Sequence, residues 1–333
     1  MQRALLAVSL LMALALRAEA WNSVGHMVVA KLAYDQLDAK RQLALYNLLK
    51  THPHYKEYLS ASRPEGIDND VEWVVLRSAV WPDWVRERKV EKRSVEITKY
   101  NRSEDHYITI PFIDPADAKF FEGKELVNPD VPNIVTALKH RANEMKAKTA
   151  SPDDRAVAAC WLFHLIGDIH QPLHNCSYFS SEKPFVTGDL GGNKFAIKAD
   201  GRKWKLHVFW DDLLGEDSDY EDDSPEHQGA IYREAVKVAG RLRDVKLDAD
   251  RIAKNVTFES WSRESHELAR TVGYRRPDGT LLKAVEAPFK GAFPAAAEEV
   301  GKEYIDAAHA TADRQVVMAG KRLADRLTAL LGK

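Results

Sequence analysis

One helix of this sequence has clear limits and carries two metal-binding residue types at its end. Ser151 is suited to a helix N-cap, and Pro152 is suited to the first helical position. The pattern therefore predicts a helix over residues 152–168. His164 and Asp168 lie four residues apart in it, so an imidazole and a carboxylate share one face. This is the spacing that a divalent metal requires of two ligands on one helix.

Two more histidines follow this helix closely. His170 and His174 lie on either side of Pro172, which stops the helix. Residues 164–174 thus contain three histidines and an aspartate, a dense group in a chain that has 12 histidines in 333 residues. The alternative that these residues leave open is a solvated helix end with a capping aspartate.

Other histidines and aspartates are candidates with weaker support. His207 and Asp211 repeat the four-residue spacing, and they are predicted to follow a hairpin and enter a helical turn. Asp83 follows a proline and precedes Arg86, so an N-cap with a nearby ion pair is the alternative to a metal ligand. His106 by itself is more often an ordinary surface or core histidine. These residues gain importance only in combination.

The first 20 residues have the pattern of a signal peptide. Arg3 precedes an apolar run over residues 4–16 that is too short to span a bilayer, and Ala-Glu-Ala at residues 18–20 suits a signal peptidase. We therefore predict that residues 1–20 are removed and that the mature protein, residues 21–333, is exported to the periplasm or secreted, without a membrane span. An uncleaved membrane anchor is the alternative.

Cleavage after Ala20 would create a chelating N-terminus. The free amine of Trp21, with an ordinary pKa of about 8, can lose its proton and bind a metal together with the Trp21 carbonyl. His26 can reach the same ion one helical turn further on. The sequence therefore predicts a further ligand group at the new N-terminus.

Helical periodicity dominates the mature chain and predicts a single, mainly α domain. Residues 200 and 201 are an Asp-Gly pair that suits the tight turn of a small β-hairpin. Residues 275–293 are predicted to form a long loop. The hairpin strands are predicted at residues 194–197 and 203–206, and the helices at residues 24–37, 41–50, 70–80, 131–148, 152–168, 225–242, 258–272 and much of 295–331.

Charge and cysteine content limit how the chain can bind a polyanion and how its fold can be stabilised. The chain has 48 basic and 50 acidic side chains and a net charge of −2, so a polyanion must be held at a local site. Cys160 and Cys176 allow one disulfide at most. The fold therefore cannot depend on cross-links.

In its motifs the sequence resembles the zinc-dependent S1/P1 nuclease family, over essentially the whole mature chain. The resemblance implies a mainly α-helical bundle of the phospholipase C/P1 nuclease type that holds three zinc ions at the bottom of a cleft. The motifs are Trp-x-x-x-Gly-His at residues 21–26, Trp-Pro-Asp-x-x-Arg at 81–86, His-Tyr at 106–107, His-x-x-Gly-Asp-x-His-Gln-Pro-Leu-His at 164–174, Gly-Asp-Leu-Gly-Gly-Asn at 188–193 and Leu-His-Val-Phe-Trp-Asp at 206–211.

The resemblance also implies a role for individual residues. Two close zinc ions that share a carboxylate can share a water and lower its pKa towards about 7, which gives a hydroxide that attacks phosphorus. Arg86 would grip the phosphate and Asn193 would add a neutral donor; a surface ion pair and a plain turn residue are the alternatives. The implied zinc ligands are Asp83, His106, His164 and Asp168 for the first ion, His174, His207 and Asp211 for the second, and Trp21, His26 and again Asp168 for the third.

The implied function is an endonuclease that acts on single-stranded DNA and RNA. It would release 5′-phosphorylated products and also remove 3′-phosphates from nucleotides. Tyr107 offers a stacking surface for an unstacked base. The family often has an aspartate three residues after the equivalent of His106, whereas this chain has Thr109, a departure that bears on base preference. A monomer is the default oligomeric state.

Two other functions are alternatives. A zinc phospholipase C shares the three-metal plan, but those enzymes carry glutamate where this chain has Asp211, and the gap between Trp21 and His26 is shorter than theirs. A zinc-sequestering protein would bind zinc without hydrolysing either substrate. The presence of Arg86 and Asn193 argues against this second alternative.

Overall fold

The computed structural model describes residues 21–86, 99–217 and 222–332. Helices dominate these ranges and the strands form two small sheets, which confirms the predicted mainly α fold with a hairpin. The predicted signal peptide, residues 1–20, lies outside the described residues. Of the helices in the described ranges, none is long and apolar enough to cross a membrane.

The helices lie close to the predicted positions over most of the chain. Two short 3₁₀ turns, Ser103–His106 and Pro172–Asn175, carry histidines between longer elements. The described helices are α1 (Ser23–Tyr34), α2 (Ala39–Leu49), α3 (Asp70–Ser78), α4 (Trp81–Arg86), α5 (Ala118–Phe121), α6 (Ile134–Lys146), α7 (Pro152–Asp168), α8 (Leu206–Asp211), α9 (Pro225–Leu242), α10 (Ala249–Lys254), α11 (Phe258–Leu268) and α12 (Lys302–Leu331).

Two small sheets accompany the helices. Their strands are β1 (Pro111–Ile113), β2 (Ser177–Phe179), β3 (Ala196–Ala199), β4 (Arg202–Lys205) and β5 (Glu298–Glu299). β1 pairs with β2 in parallel, while β3 pairs antiparallel with β4 and parallel with β5. Asp200 and Gly201 turn the chain between β3 and β4 with φ values of 50° and 73°, as a type I′ turn requires. The predicted hairpin is confirmed, with each strand within two residues of its predicted position.

The sequence predicted the last helix, α12, but did not predict α4. α12 runs over Lys302–Leu331, in agreement with the prediction of a helix over much of residues 295–331; β5, which pairs with β3, and the N-cap Gly301 precede it. A separate helix, α4, follows α3, where the sequence predicted only one helix ending at Val80. Pro82 lies in the first turn of α4, a position that needs no N–H donor, so a new helix can start there. Asp83 therefore lies within a helix and not at an N-cap.

α7 is the central helix of the fold. Ser151 Oγ accepts the N–H of Asp154 and Pro152 begins the helix, as predicted. Every residue from Ala156 to Asp168 is buried, so neighbours cover the helix on all sides. These neighbours include α6, α12, α1, α2 and α4. The end of α7 consequently delivers its polar residues to the protein interior.

The two cysteines do not form a disulfide. Cys160 on α7 and Cys176 before β2 are both free and buried. Burial raises the pKa of each thiol well above its ordinary value. The thiols are therefore inert core groups, and packing without a disulfide holds the fold together.

Helices α1 and α12 pack so closely that one position requires glycine. A Cβ atom on Gly320 of α12 would lie 2.6 Å from the Cβ of Leu32 and 3.4 Å from the carbonyl oxygen of Val29. Such a contact is too short, so the helices would have to move apart. Gly240 of α9 is also helical, but a Cβ atom there would meet no described atom within 4 Å.

Alanine at these two glycines is expected to change stability in opposite directions. Gly320→Ala should lower the free energy of unfolding by about 1–3 kcal/mol, the usual cost of overpacking. Gly240→Ala should raise it by about 0.5–1 kcal/mol, because alanine loses less backbone entropy in a helix. Urea unfolding of both variants measures the difference, and shifts of the same sign would contradict the close approach of α1 and α12.

Candidate metal centre

Three helices and one 3₁₀ turn bring five predicted ligands together at the end of α7. His26 comes from α1, Asp83 from α4 and His106 from the turn Ser103–His106, while α7 contributes His164 and Asp168. Four of these side chains are fully buried, and only Asp83 is partly accessible, with 14% of its side chain exposed. Solvent therefore reaches this group from the side of Asp83.

Three imidazoles surround the carboxylate of Asp168. Its Oδ1 lies 3.2 Å from Nε2 of His26, and its Oδ2 lies 3.1 Å from Nδ1 of His106 and 3.3 Å from Nε2 of His164. Asp83 Oδ1 lies 3.5 Å from Nε2 of the same His164. Two overlapping sets, His26 with His164 and Asp168, and Asp83 with His106 and His164, each keep their ligand atoms within 4.8 Å of one another. We refer to these five residues as the first group.

A second group consists of His174, His207 and Asp211, whose ligand atoms also lie within 4.8 Å of one another. The Nε2 atoms of the two histidines are 3.1 Å apart, and Nε2 of His207 lies 3.6 Å from Oδ2 of Asp211. β4 leads directly into α8, which carries His207 and Asp211 one turn apart, as predicted. The other oxygen of Asp211 accepts a hydrogen bond from the amide of Gln171 at 2.7 Å.

Backbone carbonyls fix the orientation of three of the imidazoles. Because a carbonyl oxygen can only accept, Nδ1 of each ring carries a hydrogen, which leaves Nε2 as the atom that can bind a metal. This is the tautomer that binds a metal through Nε2. The hydrogen bonds run from Nδ1 of His164 to the Ala79 oxygen at 2.8 Å, from Nδ1 of His174 to the His106 oxygen at 2.7 Å and from Nδ1 of His207 to the Gly191 oxygen at 2.5 Å.

Burial and charge shift the pKa values of the first group in opposite directions. Burial lowers the pKa of His26 and lowers that of His106 to about 3. Burial also disfavours a charged His164, but the carboxylates of Asp168 and Asp83 outweigh it and raise the pKa of His164 to about 10. In turn, the imidazoles hold the pKa of both carboxyls below the ordinary value against the effect of burial. The group therefore keeps two carboxylates ionised and needs positive charge between them.

The donor set fits a metal such as zinc. Buried polar atoms without a hydrogen bond cost about 1–3 kcal/mol each, unless an ion or water binds them. Imidazole and carboxylate ligands without thiolate suit catalytic zinc. Asp168 also faces different histidines with its two oxygens. Within the described ranges, the buried atoms of the first group without a hydrogen-bond partner include Nε2 of His26, Nε2 of His106, Oδ1 of Asp83 and Oδ1 of Asp168.

Comparison with known proteins agrees with this geometry. The sequence profile of the S1/P1 nuclease family matches residues 21–332. The chain belongs to the S1/P1 nuclease family. It is similar to Endonuclease 2 of Arabidopsis thaliana, with 25% identity over 321 residues that cover 94% of this chain and 91% of that protein. It is also similar to Nuclease P1 of Penicillium citrinum, with 24% identity over 195 residues that cover 58% of each chain.

Membership of the S1/P1 nuclease family settles the class of reaction. The protein is a hydrolase, a nuclease whose substrates are nucleic acids. Members of this family depend on zinc in general, and the described residues hold the imidazole and carboxylate groups that could bind it. That each of these side chains binds zinc in this protein stays a prediction.

Trp21 and Asn22 lie against both groups in this S1/P1 nuclease. The buried indole donates its Nε1–H to the carbonyl oxygen of Gly167, the residue before Asp168, at 3.2 Å. The backbone N–H of Asn22 donates to the carbonyl oxygen of Asp211 at 3.4 Å. Residues 21 and 22 thus contact the backbone next to one ligand in each group. Metal binding by the Trp21 amine stays a prediction.

The residues predicted to contact the substrate differ in their exposure to solvent. Arg86 ends α4 beside the first group, and its guanidinium lies 3.5 Å from Oδ1 of Asp83. Tyr107 directly follows His106 in the chain and is 37% exposed, so a nucleobase can reach its ring. Asn193 is buried, and its amide donates to the carbonyl oxygen of Leu190 at 3.1 Å. Arg86 and Tyr107 are therefore nearer to solvent than Asn193.

Gln171 was not predicted as a functional residue. Its amide donates to the Asp211 carboxylate and its Oε1 accepts the N–H of Leu173, so it ties the second group to the turn before His174. Its place between His170 and Pro172 in the His-Gln-Pro motif was the available indication. The backbone carbonyl groups that orient the imidazoles cannot be predicted from the sequence, because every residue has a carbonyl group.

Asp189 was likewise quoted in a motif without a role. Its buried carboxylate accepts hydrogen bonds from the N–H of Tyr178 at 2.9 Å, the hydroxyl of Ser177 at 3.1 Å and the hydroxyl of Tyr274 at 2.8 Å. These bonds anchor the loop that carries Gly191, whose carbonyl orients an imidazole of the second group. Burial outweighs the hydrogen bonds and raises the pKa of Asp189 to about 6.

Alanine at Gly167 is expected to weaken metal binding by the first group. A Cβ atom there would lie 2.9 Å from Nδ1 of His26, so the imidazole must move. Displaced ligands typically cost about 10–100-fold in metal affinity. Zinc titration of the metal-free Gly167→Ala variant measures the loss. Gly240→Ala is the matched helical control, and an affinity equal to that of this control would contradict the contact.

Asparagine at Asp189 is expected to remove a pH dependence of stability. In the folded protein Asp189 keeps its proton up to about pH 6, whereas the ordinary carboxyl pKa is 3.8. The folded state then binds more protons between these values, so stability falls as the pH rises through this window. The loss amounts to about 3 kcal/mol at neutral pH. Urea unfolding at pH 4, 5, 6 and 7 should show a smaller decline in Asp189→Asn, and parallel curves would contradict the raised pKa.

Proposed function

We propose that this nuclease is an exported, zinc-dependent endonuclease that cleaves single-stranded DNA and RNA to 5′-phosphorylated products and removes 3′-phosphates from nucleotides. The observation that carries the proposal is the convergence of eight imidazole and carboxylate residues from distant parts of the chain into two adjacent groups. Gln171, which lies between them in the chain, contacts Asp211 of the second group. Export rests on the signal-peptide pattern of residues 1–20.

We assign three zinc ions to these groups. Asp168 is the shared ligand, because its Oδ1 faces His26 while its Oδ2 faces His106 and His164. The proposed sets are Asp83, His106, His164 and Asp168 for the first ion, His174, His207 and Asp211 for the second, and Trp21, His26 and Asp168 for the third. The sets leave coordination positions for water and phosphate, as catalytic sites require.

Protein side chains would hold the phosphate during hydrolysis. Zinc bound here supplies a Lewis acid, which makes water more acidic and offsets negative charge on phosphate oxygens. The Arg86 guanidinium can form paired hydrogen bonds with the non-bridging oxygens, and it is held at the site by its contact with Asp83. The amide of Asn193 has two hydrogens, of which Leu190 takes one, so the other can serve the substrate. No side-chain nucleophile is needed.

The depth of the centre favours single strands. Its ligands are almost completely buried, and access lies beside Asp83. A phosphate can descend to this depth only if its nucleotide leaves the base stack, which costs least in a strand that is already unpaired. Tyr107 can then stack against the released base. Thr109, two residues further along the chain, offers a hydroxyl but no charge, so its contribution to base preference is a hydrogen bond.

A substrate panel with a metal chelator tests the proposal. The mature protein should hydrolyse single-stranded DNA and RNA much faster than duplex DNA, and EDTA should abolish the activity until zinc is restored. Arg86→Met should keep its zinc but lose about 10²–10³-fold in kcat, because a donor to the transition-state charge is gone. Bound zinc by mass spectrometry and steady-state rates are the measurements.

Arg41→Met provides a matched control. Arg41 pairs with Asp38 three residues earlier, the same spacing as Arg86 and Asp83, but on the surface of α2. This variant should match the wild type. Hydrolysis of phosphatidylcholine in place of nucleic acid would replace the proposal with a phospholipase C, and bound zinc without any hydrolysis would indicate sequestration.

A further inference from the structure

A buried arginine of the last helix contacts the turn between the two groups. Arg322 of α12 is 3% exposed, and its Nη1 lies 2.8 Å from Nε2 of His170. Its Nη2 donates to the carboxylate of Glu264 at 2.6 Å and to the carbonyl oxygen of Asn255 at 3.3 Å. The guanidinium also covers the ring of Trp261, 5.0 Å from its centroid. Such burial of a charge is costly without partners, so the contacts of Arg322 fix its position closely.

His170 is set up as the acceptor for this arginine. Its Nδ1 lies 2.7 Å from the carbonyl oxygen of Ile166, which can only accept, so Nδ1 carries the hydrogen. Nε2 therefore presents a lone pair to Arg322. His170 is the histidine of the 164–174 motif that no ligand set uses, and its ring is completely buried.

Two further side chains hold the backbone of the same turn. Ser265 of α11 donates to the carbonyl oxygen of Ile169 at 2.6 Å. Gln315 of α12 donates to the carbonyl oxygen of His170 at 2.9 Å and lies 3.3 Å from the hydroxyl of Ser265. The two residues that follow Asp168 are thus held by contacts from α11 and α12.

This turn determines how the two groups are spaced. Asp168 is the last residue of α7 and His174 lies in the next 3₁₀ turn, so residues 169–173 connect a ligand of each group. The Gln171 side chain in the same stretch reaches Asp211. A shift of the turn would therefore change the positions of ligands in both groups, and displaced ligands lose metal affinity steeply.

We propose that Arg322, acting through His170, is a positioning residue that sets the spacing of the two metal-ligand groups. The inference rests on the proposed zinc-dependent function. None of the contacts that Arg322 makes here is with a ligand; it reaches the turn through His170. Its loss leaves Glu264 paired with Arg251, 2.7 Å away, so the main consequence falls on His170.

Arg322→Met and Arg326→Met form a matched pair for the test. Arg326 lies one turn further along α12, covers the rings of Phe258 and Trp261 and donates to the carbonyl oxygen of Val256. None of these contacts involves residues 169–175. Both substitutions remove a guanidinium from the same aromatic surface, but only one removes the donor to His170.

Arg322→Met is expected to raise the zinc dissociation constant by about 10–100-fold. The value of kcat on single-stranded DNA at subsaturating zinc should fall by a similar factor, while KM stays within about twofold. Arg326→Met should match the wild type in all three quantities. Competition with a fluorescent zinc chelator, starting from metal-free protein, measures affinity independently of activity, and thermal unfolding shows that both variants are folded at the assay temperature.

A second pair keeps the test decisive if Arg322→Met does not fold. The amide oxygen of His170→Gln can still accept from Arg322, whereas His170→Leu cannot, so only the leucine variant should lose zinc affinity. Equal zinc affinities for Arg322→Met and Arg326→Met, or for the two His170 variants, would overturn the positioning role. Wild-type protein that binds no zinc or cleaves no nucleic acid would instead overturn the proposed function, which separates the two failures.

Discussion

The metal-ligand site depends on carboxylates that are buried among imidazoles at the end of a core helix. Asp168 has no solvent exposure, and burial alone would favour its neutral form. Its ionised state persists because the charged ring of His164 lies beside it, and because His26, His106 and His164 can donate hydrogen bonds to it. A single proton can offset only part of the negative charge on these buried carboxylates. A divalent cation can bind several of these atoms at once. The buried negative charge that is costly without a metal therefore favours metal binding.

The ligands depend on parts of the chain that are far away in sequence. The Nδ1 hydrogen of His164 is bonded to a carbonyl oxygen 85 residues earlier, and the indole of Trp21 is bonded 146 residues later, to Gly167. The contact between His170 and Arg322 spans 152 residues. The motif at residues 164–174 thus supplies donor atoms, but contacts from Trp21, Ala79 and Arg322 fix their positions. Without either α1 or α12, residues 164–174 would keep their sequence but lose contacts that fix their positions.

Local sequence patterns predicted the elements that local physics determines. The N-cap at Ser151, the four-residue spacing on α7 and the Asp-Gly turn all appear as expected, because each depends on neighbouring residues alone. The exact start of α12 was not predicted, because β5 pairs with a strand about 100 residues earlier in the chain, which helical periodicity cannot show. The carboxylate of Asp189 and the amide of Gln171 were missed because their roles depend on tertiary hydrogen bonds. The assignment of zinc to individual residues came from family resemblance and stays a prediction.

Most metal-ligand residues of this centre are more deeply buried than Arg86 and Tyr107, two residues predicted to contact the substrate, and this difference suggests how substrate preference can change. The deepest ligands lie on α1 and α7, long helices packed on several sides, where a substitution would disturb the core. The residues next to the solvent-accessible side, Arg86 and Tyr107, lie on a six-residue helix and directly after a 3₁₀ turn. Short connecting elements tolerate change better than core helices. Base preference can therefore change at positions such as Tyr107 and Thr109 while the ligand geometry behind them stays constant, so chemistry and specificity are separable in this fold.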